Sequence, residues 1–564
     1  MKTLLAVPVA AAAADEAVAL AKSAAAAGAG IVELRVDHLA GLNADMARNL
    51  VGRARTVTNL PVIVTCRHAA EGGAKPHPDS LRVQVLASAL NAGAEFVDFE
   101  YEYFRSPTNS EALKVALARN PGGRLILSAH SFSGPFENMA RLYRRINDAW
   151  PPAIPKLVYT AGHINDCFQA IDMMRSLGGA KIILCMGEAG LITRLLAAKF
   201  GCFLTFASLD DKKATAPGQL TVKELLGLYR FHSIAAETAL YGIIGCPLAH
   251  SASPAVHNAC FADAGINALY MPLLVTGGAE ELGTFIRNVL SRKWLVFRGF
   301  SITIPHKKNA LDFIKARSGE VEPLADRIGA VNTIVVSGGG ISAYNTDYAA
   351  AIEAATAAMG TDRAGLHDVP VAVIGAGGAA RAIVAGFVDA GAKVTVYNRT
   401  VSRGEKLAAE FGCGFRPLED LGNGRRLQAR LVVNCTSVGM HPDTEESPVP
   451  AGSLARGMIV FDTVYNPLKT RLLQNAARVR AKRIDGLSMF VNQAMAQFRL
   501  FTSLQGNAAL MRRTAKKHIK QGSAGPGPKP GVTENSKGSR LSTRPDKDLP
   551  SIGKKIGELR PKNH

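Results

Sequence analysis

The sequence predicts an α/β protein throughout: an N-terminal (β/α)8 TIM barrel, a two-domain α/β unit containing a Rossmann-type nucleotide-binding domain, and a disordered basic tail. Three observations carry this. Eight short apolar, β-branched runs recur about every 25–30 residues over the first 230 or so, with Ala- and Leu-rich stretches between them. A buried-strand pattern, a glycine-rich turn and an Ala-rich stretch follow one another at 369–383. From about 521 the chain turns rich in Pro, Gly, Ser and charge and poor in apolar residues.

At about 150 residues per domain, 564 residues suggest three or four units. A hydrophobic content of 47% is that of a globular chain. No apolar run approaches the roughly 18 residues of a membrane span, and no short-period repeat suggests a solenoid. The eight cysteines are scattered without a C-x-x-C pair, which speaks against zinc ribbons and disulfide scaffolds and suits a reducing cytosol. Of the net charge of +20, half lies in 512–564, where fourteen Lys/Arg face four acids. A basic tail can contact nucleic acid, but this one lacks interleaved aromatics and reads rather as a solvated extension.

The first run, LLAVPV (4–9), precedes Ala-rich sequence and mimics a secretory signal. The later runs decide its reading. They are IVELRV (31–36), VIVTCR (62–67), FVDFEY (96–101), LILSAH (125–130), KLVYTA (156–161), KIILCM (181–186) and FLTFAS (203–208). Eight strands require the first, so 4–9 is read as strand one and no leader is expected. Barrel chemistry sits at the carboxyl ends of strands. There the sequence offers Glu33, Arg35, Asp37, Arg67, Glu71, His130 and Arg194. Lys156 opens the sixth run, and read alone it is either a lysine snorkelling at a strand entrance or an apolar-walled nucleophilic amine.

The second half begins near Tyr241. In VPVAVIGAGGAARAI (369–383), Gly375, Gly377 and Ala380 fit G-x-G-x-x-A, in which glycines let the backbone approach a pyrophosphate at a helix start. The next strand, 393–400, ends in Asn398-Arg399-Thr400 where NAD enzymes usually carry an acid. An arginine there suits a 2′-phosphate, so the expected cofactor is NADP(H). Around this core lie GCPLAHSASPAVHN (245–258), FSITIPHKK (300–308), GAVNTI (329–334), YNTDYAA (344–350), NCTSVGM (434–440), FDTVYNPLKTRLL (461–473) and DGLSMFVNQAMAQF (485–498).

Two resemblances emerge from these segments. VELRVDHL (32–39), CRHAAEGG (66–73), SAH (128–130), IPKL (154–157), MGEAGLITRL (186–195) and KKATAPGQ (212–219) resemble type I 3-dehydroquinate dehydratases over residues 1–232. The resemblance implies a Schiff base on Lys156, proton transfer by His130 oriented by Glu71, substrate carboxylate on Arg194, and ring hydroxyls on Glu33, Arg35, Arg67, Thr215 and Gln219. Thr215 stands where bacterial members carry serine and keeps the hydroxyl. No metal is implied.

The second set, in its order, resembles shikimate dehydrogenase over 241 to about 510. That implies a proton-transfer pair Lys307 and Asp347, substrate carboxylate on Ser251 and Ser253, and further substrate contacts from Thr303, Asn332, Tyr465 and Gln493. Cofactor contacts would come from Gly375, Ala376, Gly377, Gly378, Ala379, Asn398, Arg399, Thr400, Arg403, Thr436, Gly486 and Met489. Ala249 and Ala350 depart from the histidine and glycine frequent at those points, without removing a proton carrier.

Fused in this order, the halves resemble the dehydratase–dehydrogenases best known from plants. The substrates implied are 3-dehydroquinate, 3-dehydroshikimate and shikimate. A start at strand one, without a plastid leader, implies a bacterial-type cytosolic location. The expected domains are 1–232, 241–350 completed by helices at about 486–518, a nucleotide domain at 366–485, and a tail at 521–564. A quinate-oxidising enzyme and a non-catalytic regulator built from these domains are the competing readings. Arg399, the serine pair and the two proton-transfer sets speak against them.

Overall fold

A computed structural model describes residues 2–210, 218–249, 251–338, 340–422 and 425–522. Thr215 and the chain beyond Gly522 lie outside it. The first sheet contains β1 (Leu4–Val9), β2 (Ile31–Arg35), β3 (Val62–Thr65), β4 (Phe96–Glu100), β5 (Arg124–Ser131), β6 (Ile154–Thr160), β7 (Ile182–Met186) and β8 (Leu204–Phe206). The strands pair in parallel in the order β7-β6-β5-β4-β3-β2-β1-β8. At the remaining seam Phe203 N–H donates to the Lys181 carbonyl at 2.8 Å. All eight expected strands are present, including the first, which is sandwiched between β2 and β8. Lys156 is not at a strand entrance. Ile154 and Pro155 already pair with Ile126 and Leu127, so Lys156 lies inside β6, opposite Ser128, and is only 4% exposed.

The second sheet holds β9 (Ala239–Gly245), β10 (Ala268–Leu274), β11 (Phe297–Ile302), β12 (Glu320–Val321), β13 (Thr333–Ser337) and β14 (Gly340–Tyr344) in the order β10-β9-β11-β13-β14-β12. Strands β9, β10 and β11 are parallel, and β13 runs against both of its neighbours. One face shares a continuous apolar core with the barrel. At the junction the Phe168 and Phe285 rings lie 5.9 Å apart and Phe200 meets Trp294 edge-on at 5.5 Å. Beside them Arg292 forms a two-pronged pair with Asp172 at 2.6 and 2.7 Å. The other face is covered by the helices Ser253–Asp263, Gly486–Thr502 and Ala508–Gly522. Met511, Ala515 and Ile519, four apart, give the last helix its buried stripe. It carries the fold four residues beyond 518, so Gln521 and Gly522, expected in the tail, end a helix instead.

The third sheet, β15 (Pro370–Ile374), β16 (Lys393–Asn398), β17 (Gly414–Pro417), β18 (Leu431–Asn434), β19 (Ile459–Asp462) and β20 (Lys482–Ile484), is parallel in the order β17-β16-β15-β18-β19-β20. The chain reverses direction between β15 and β18, which opens a crevice at their carboxyl ends where nucleotides bind in doubly wound sheets. Among the described residues no helix is long and apolar enough to cross a membrane.

Candidate active sites

The first site fills the carboxyl end of the barrel. Lys156 Nζ donates to Asp98 Oδ2 at 2.8 Å and lies 3.9 Å from Glu33 Oε1. Arg67 reaches Asp98 and Glu100, each at 2.9 Å, and donates to Ser128 Oγ at 2.7 Å. Ser128 Oγ in turn donates to Asp98 at 2.7 Å, and Arg82 pairs with the second oxygen of Glu100. Three cations and three carboxylates thus interlock out of water, and each buried charge is paired as burial requires. Burial would raise the Asp98 carboxyl, but Arg67 and Lys156 together hold it far below the usual carboxylate range.

On β5, the strand between Asp98's β4 and Lys156's β6, stands His130. Its Nδ1 lies 2.9 Å from Glu71 Oε2, which also accepts the His130 backbone N–H at 3.0 Å. Burial, joined by the nearby Arg67 and Lys156 charges, keeps the His130 imidazole well below its ordinary pKa, hence neutral. Glu71 is pushed up to about 7, chiefly by burial. Arg194 is buried, its pKa pushed down to about 10 by desolvation. Among the described residues its Nε has no hydrogen-bond partner and its guanidinium no carboxylate. A cation left unpaired in the wall is a ready anion site. Arg35 is engaged two-pronged with Asp37 at 2.9 Å and also reaches the Gly72 carbonyl. Gln219 is buried.

Sequence reasoning missed Asp98, Glu100, Arg82 and Ser128. Positions 98 and 100 are two apart in a strand and therefore share a face. Acids at that spacing in an apolar run are the signal that was available.

The second site lies where β9, β11 and β14 end. Lys307 opens the helix Lys307–Ala316, Asp347 opens Asp347–Met359, and their side chains form an ion pair. Ser251 Oγ accepts the Ser253 N–H at 3.3 Å. Burial pushes the Tyr465 phenol up, against hydrogen bonding with the Ala252 backbone and Ser251, which places Tyr465 at the serine turn. Thr303 packs so closely on Gly245 that a Cβ there would lie 2.4 Å from its methyl. Gln493 projects from Gly486–Thr502 and donates to the Phe490 carbonyl at 3.1 Å. Asn332 is buried and bonded to Thr346. Residues from 251 to 493 are thereby drawn around one cleft.

The glycine turn closes that cleft. Gly375 sits at φ +110°, a region that favours glycine, and a Cβ on it would stand 3.0 Å from the Thr436 methyl. Gly377 caps the helix Gly378–Asp389 with open space beside it. A Cβ on Gly378 would lie 3.0 Å from Lys307 Cδ, so this helix start abuts the ion pair. Ala376 and Ala379 are half-buried in the same turn. At the end of β16, Asn398 donates to the Thr400 carbonyl at 2.7 Å, while Arg399 and Arg403 are exposed and pair with no described carboxylate. The donor set, an open helix start plus two free guanidiniums and no acid, fits a phosphorylated dinucleotide. Asn434 and Asp462, unforeseen from sequence, support the Thr436 loop: Asn434 Oδ1 accepts the Thr436 N–H and O–H, and its amide donates to Asp462 at 2.9 Å. Gly486 lies so near the Val464 carbonyl (2.5 Å from a Cβ) that no side chain fits. Met489 is packed in the apolar layer under the third sheet rather than lying open in the crevice.

Comparison with known proteins agrees with this division. Residues 5–236 match the family model of type I 3-dehydroquinase. Residues 243–334 match the shikimate dehydrogenase substrate binding domain, 357–462 shikimate/quinate 5-dehydrogenase, and 486–516 the shikimate 5′-dehydrogenase C-terminal domain. The bifunctional 3-dehydroquinate dehydratase/shikimate dehydrogenase, chloroplastic, of Arabidopsis thaliana is 37% identical over 492 residues, 85% of this chain and 78% of that protein. A shikimate dehydrogenase (NADP(+)) of Methanosarcina mazei is 40% identical over 284 residues, 49% of this chain and 96% of its own. One from Moorella thermoacetica is 37% identical over 301 residues, 52% of this chain and 98% of its own.

Proposed function

The chain belongs to the family of bifunctional 3-dehydroquinate dehydratase/shikimate dehydrogenases, and we propose that Lys156, His130 and Glu71 carry its first reaction and Lys307 and Asp347 its second. It dehydrates 3-dehydroquinate to 3-dehydroshikimate and reduces that product to shikimate with NADPH. The observation that supports the residue assignment is that one chain holds both proton-transfer sets, Lys156 ion-paired with Asp98, neutral His130 hydrogen-bonded to Glu71, and Lys307 ion-paired with Asp347.

In the dehydratase, the Lys156 amine adds to the substrate ketone and water leaves, forming an iminium. This cation draws the electron pair of the neighbouring C–H bond as the proton goes to His130 Nε2. The Nε2 lone pair is available because Nδ1–H is committed to Glu71. His130 then returns the proton to the departing hydroxyl, which leaves as water, and hydrolysis of the iminium restores Lys156. Arg194 takes the substrate carboxylate. Glu33, Arg35, Arg67 and Gln219 hold the ring hydroxyls, Arg67 from a position set by Asp98, Glu100 and Ser128. Thr215 joins them by expectation from the sequence.

In the dehydrogenase, bound NADPH supplies hydride. Lys307 gives a proton to the carbonyl oxygen as it gains negative charge, and Asp347 keeps the ammonium aimed there. Ser251 and Ser253 take the carboxylate, and Thr303, Asn332, Tyr465 and Gln493 the ring. The turn Gly375–Ala376–Gly377–Gly378–Ala379 receives the pyrophosphate. Arg399 and Arg403, with Asn398 and Thr400, receive the 2′-phosphate. Thr436, Gly486 and Met489 bound the nicotinamide side, Met489 through its packing.

We divide the chain into 1–232, 241–350 with the helices from 486, 366–485, and a tail. The eight cysteines carry free thiols, five of them buried, which supports a reducing, cytosolic setting.

The test is NADPH consumption when 3-dehydroquinate is added to the purified chain. Loss of NADPH with that substrate shows both sites working in series. No loss with either 3-dehydroquinate or 3-dehydroshikimate would overturn the assignment.

Glu71 adds a pH signature. Its carboxyl titrates at about 7 in the folded chain, above the ordinary 4.5, so the folded state binds this proton more tightly than the unfolded one. Its stabilising contribution is complete below 4.5 and is lost as pH climbs through 7. Activity runs the other way, because the carboxylate is the form that accepts Nδ1–H. Dehydratase kcat is expected to rise through pH 7, and Glu71→Gln to remove that limb and lower kcat by about tenfold or more. A pH–rate profile on both proteins checks it; a Glu71→Gln profile identical to wild type counts against the role.

A further inference from the structure

Behind the dehydrogenase cleft runs a buried chain of polar side chains of which only Asn332 has a role above. Tyr270 O–H donates to Ser301 Oγ at 2.7 Å, and Ser301 donates to Gln497 Oε1 at 2.8 Å. The Gln497 amide donates to the Asn332 carbonyl and to Thr333 Oγ1, both at 3.1 Å. Thr333 donates onward to Asn332 Oδ1 at 2.8 Å. That oxygen also accepts the Thr346 N–H at 2.9 Å, while Asn332 Nδ2 donates to Thr346 Oγ1 at 2.9 Å. All five side chains from Tyr270 to Thr333 are buried, Gln497 to 2% exposure.

Gln497 uses its carbonyl and both amide hydrogens, and from Tyr270 to Asn332 Oδ1 each link has one donor and one acceptor, while Asn332 and Thr346 bond reciprocally. Its far end reaches the reacting groups. Thr346 immediately precedes Asp347, and Val331, the neighbour of Asn332, donates to the Lys307 carbonyl at 3.0 Å. One turn earlier on the same helix sits Gln493.

We infer that Gln497 is a positioning residue of the dehydrogenase: it fixes Asn332 toward the substrate and, through Thr346, the alignment of Asp347 with Lys307. The inference rests on the assignment of Lys307 and Asp347 as the proton-transfer pair. Misplacing reacting groups by about 1 Å can cost about a hundredfold in rate. Gln497→Met, similar in shape but without polar ends, is therefore expected to lower dehydrogenase kcat by about ten- to a hundredfold. KM for 3-dehydroshikimate should rise while KM for NADPH stays within about twofold, a split that general loosening of the fold would not give. The dehydratase rate of the same full-length chain reports folding. Thr333→Val keeps the shape and breaks only the Gln497–Thr333–Asn332 bridge, and should lower kcat by about fivefold with the same split.

If both variants keep kcat within about twofold, or lose dehydratase and NADPH affinity in step with it, the inference is wrong. Should Gln497→Met fail to fold, the Thr333→Val split alone decides. Lys307→Ala in the same assay separates the two ideas. Normal turnover by Lys307→Ala overturns the underlying assignment. A dead Lys307→Ala beside fully active Gln497→Met and Thr333→Val overturns only the role of Gln497.

Discussion

Replacing Lys156 by alanine should abolish dehydration of 3-dehydroquinate, by about ten-thousandfold or more, and leave NADPH-linked reduction of 3-dehydroshikimate intact. Among the described residues Lys156 Nζ is the amine held among Asp98, Glu33 and the Phe206 ring, 4.8 Å from the ring centroid. Without the iminium no electron sink exists, and His130 faces a C–H bond too weakly acidic to yield its proton. Loss of the ammonium also leaves Asp98, among the described residues, with Arg67 as its remaining ion-pair partner, so some loss of stability is expected. The dehydrogenase of the same chain distinguishes lost chemistry from lost folding. Borohydride added during turnover should fix the substrate's mass on Lys156 of the wild type. A wild type that turns over yet stays unlabelled at Lys156, or an active Lys156→Ala, would falsify the Schiff-base assignment.

Lys307→Ala should be the mirror image. Reduction of 3-dehydroshikimate should fall by about a thousandfold in kcat, the usual reach of a positioned acid, with binding of both substrates nearly unchanged. The reason is geometric. Lys307 contributes its aliphatic stem to the floor under Gly378 and its ammonium to Asp347, and only the latter changes between ground and transition state. Asp347→Asn should reproduce most of the loss, since the amide can no longer hold the charge of the lysine. Dehydratase turnover of Lys307→Ala should equal that of the wild type. Steady-state kinetics of the two half-reactions, run on one preparation, decide the matter, and near-normal reduction by Lys307→Ala would end the acid–base reading.

These variants also show how far residues speak for themselves. Strand periodicity alone located all eight barrel strands, because each is a short apolar run buried on both faces. The glycine turn was legible because its conformation restricts the residues that can occupy it: Gly375 at φ +110° admits little else. Lys156 was harder. Sequence set it at a strand entrance, whereas β6 begins two residues earlier and carries the lysine inward. The pairing around it was not legible, since Asp98 and Glu100 lie on β4, Arg67 just beyond β3 and Lys156 on β6, and they interlock only when the sheet curls. The same holds for Gln497, which reads as one more polar position of an amphipathic helix until Ser301, Asn332 and Thr333 close on it.

Local conformation, and with it fold class and the positions of the strands along the chain, was determined by the sequence. It follows from periodicity, turn stereochemistry and side-chain type, which act over a few residues. The partners of each charge were decided only by the tertiary structure. Whether a carboxyl is free or bound, a histidine neutral, or an arginine left open for an anion depends on burial and on groups tens to hundreds of positions away. Electrostatic energies inside a protein are set by distance and solvent access, and neither is written along the chain.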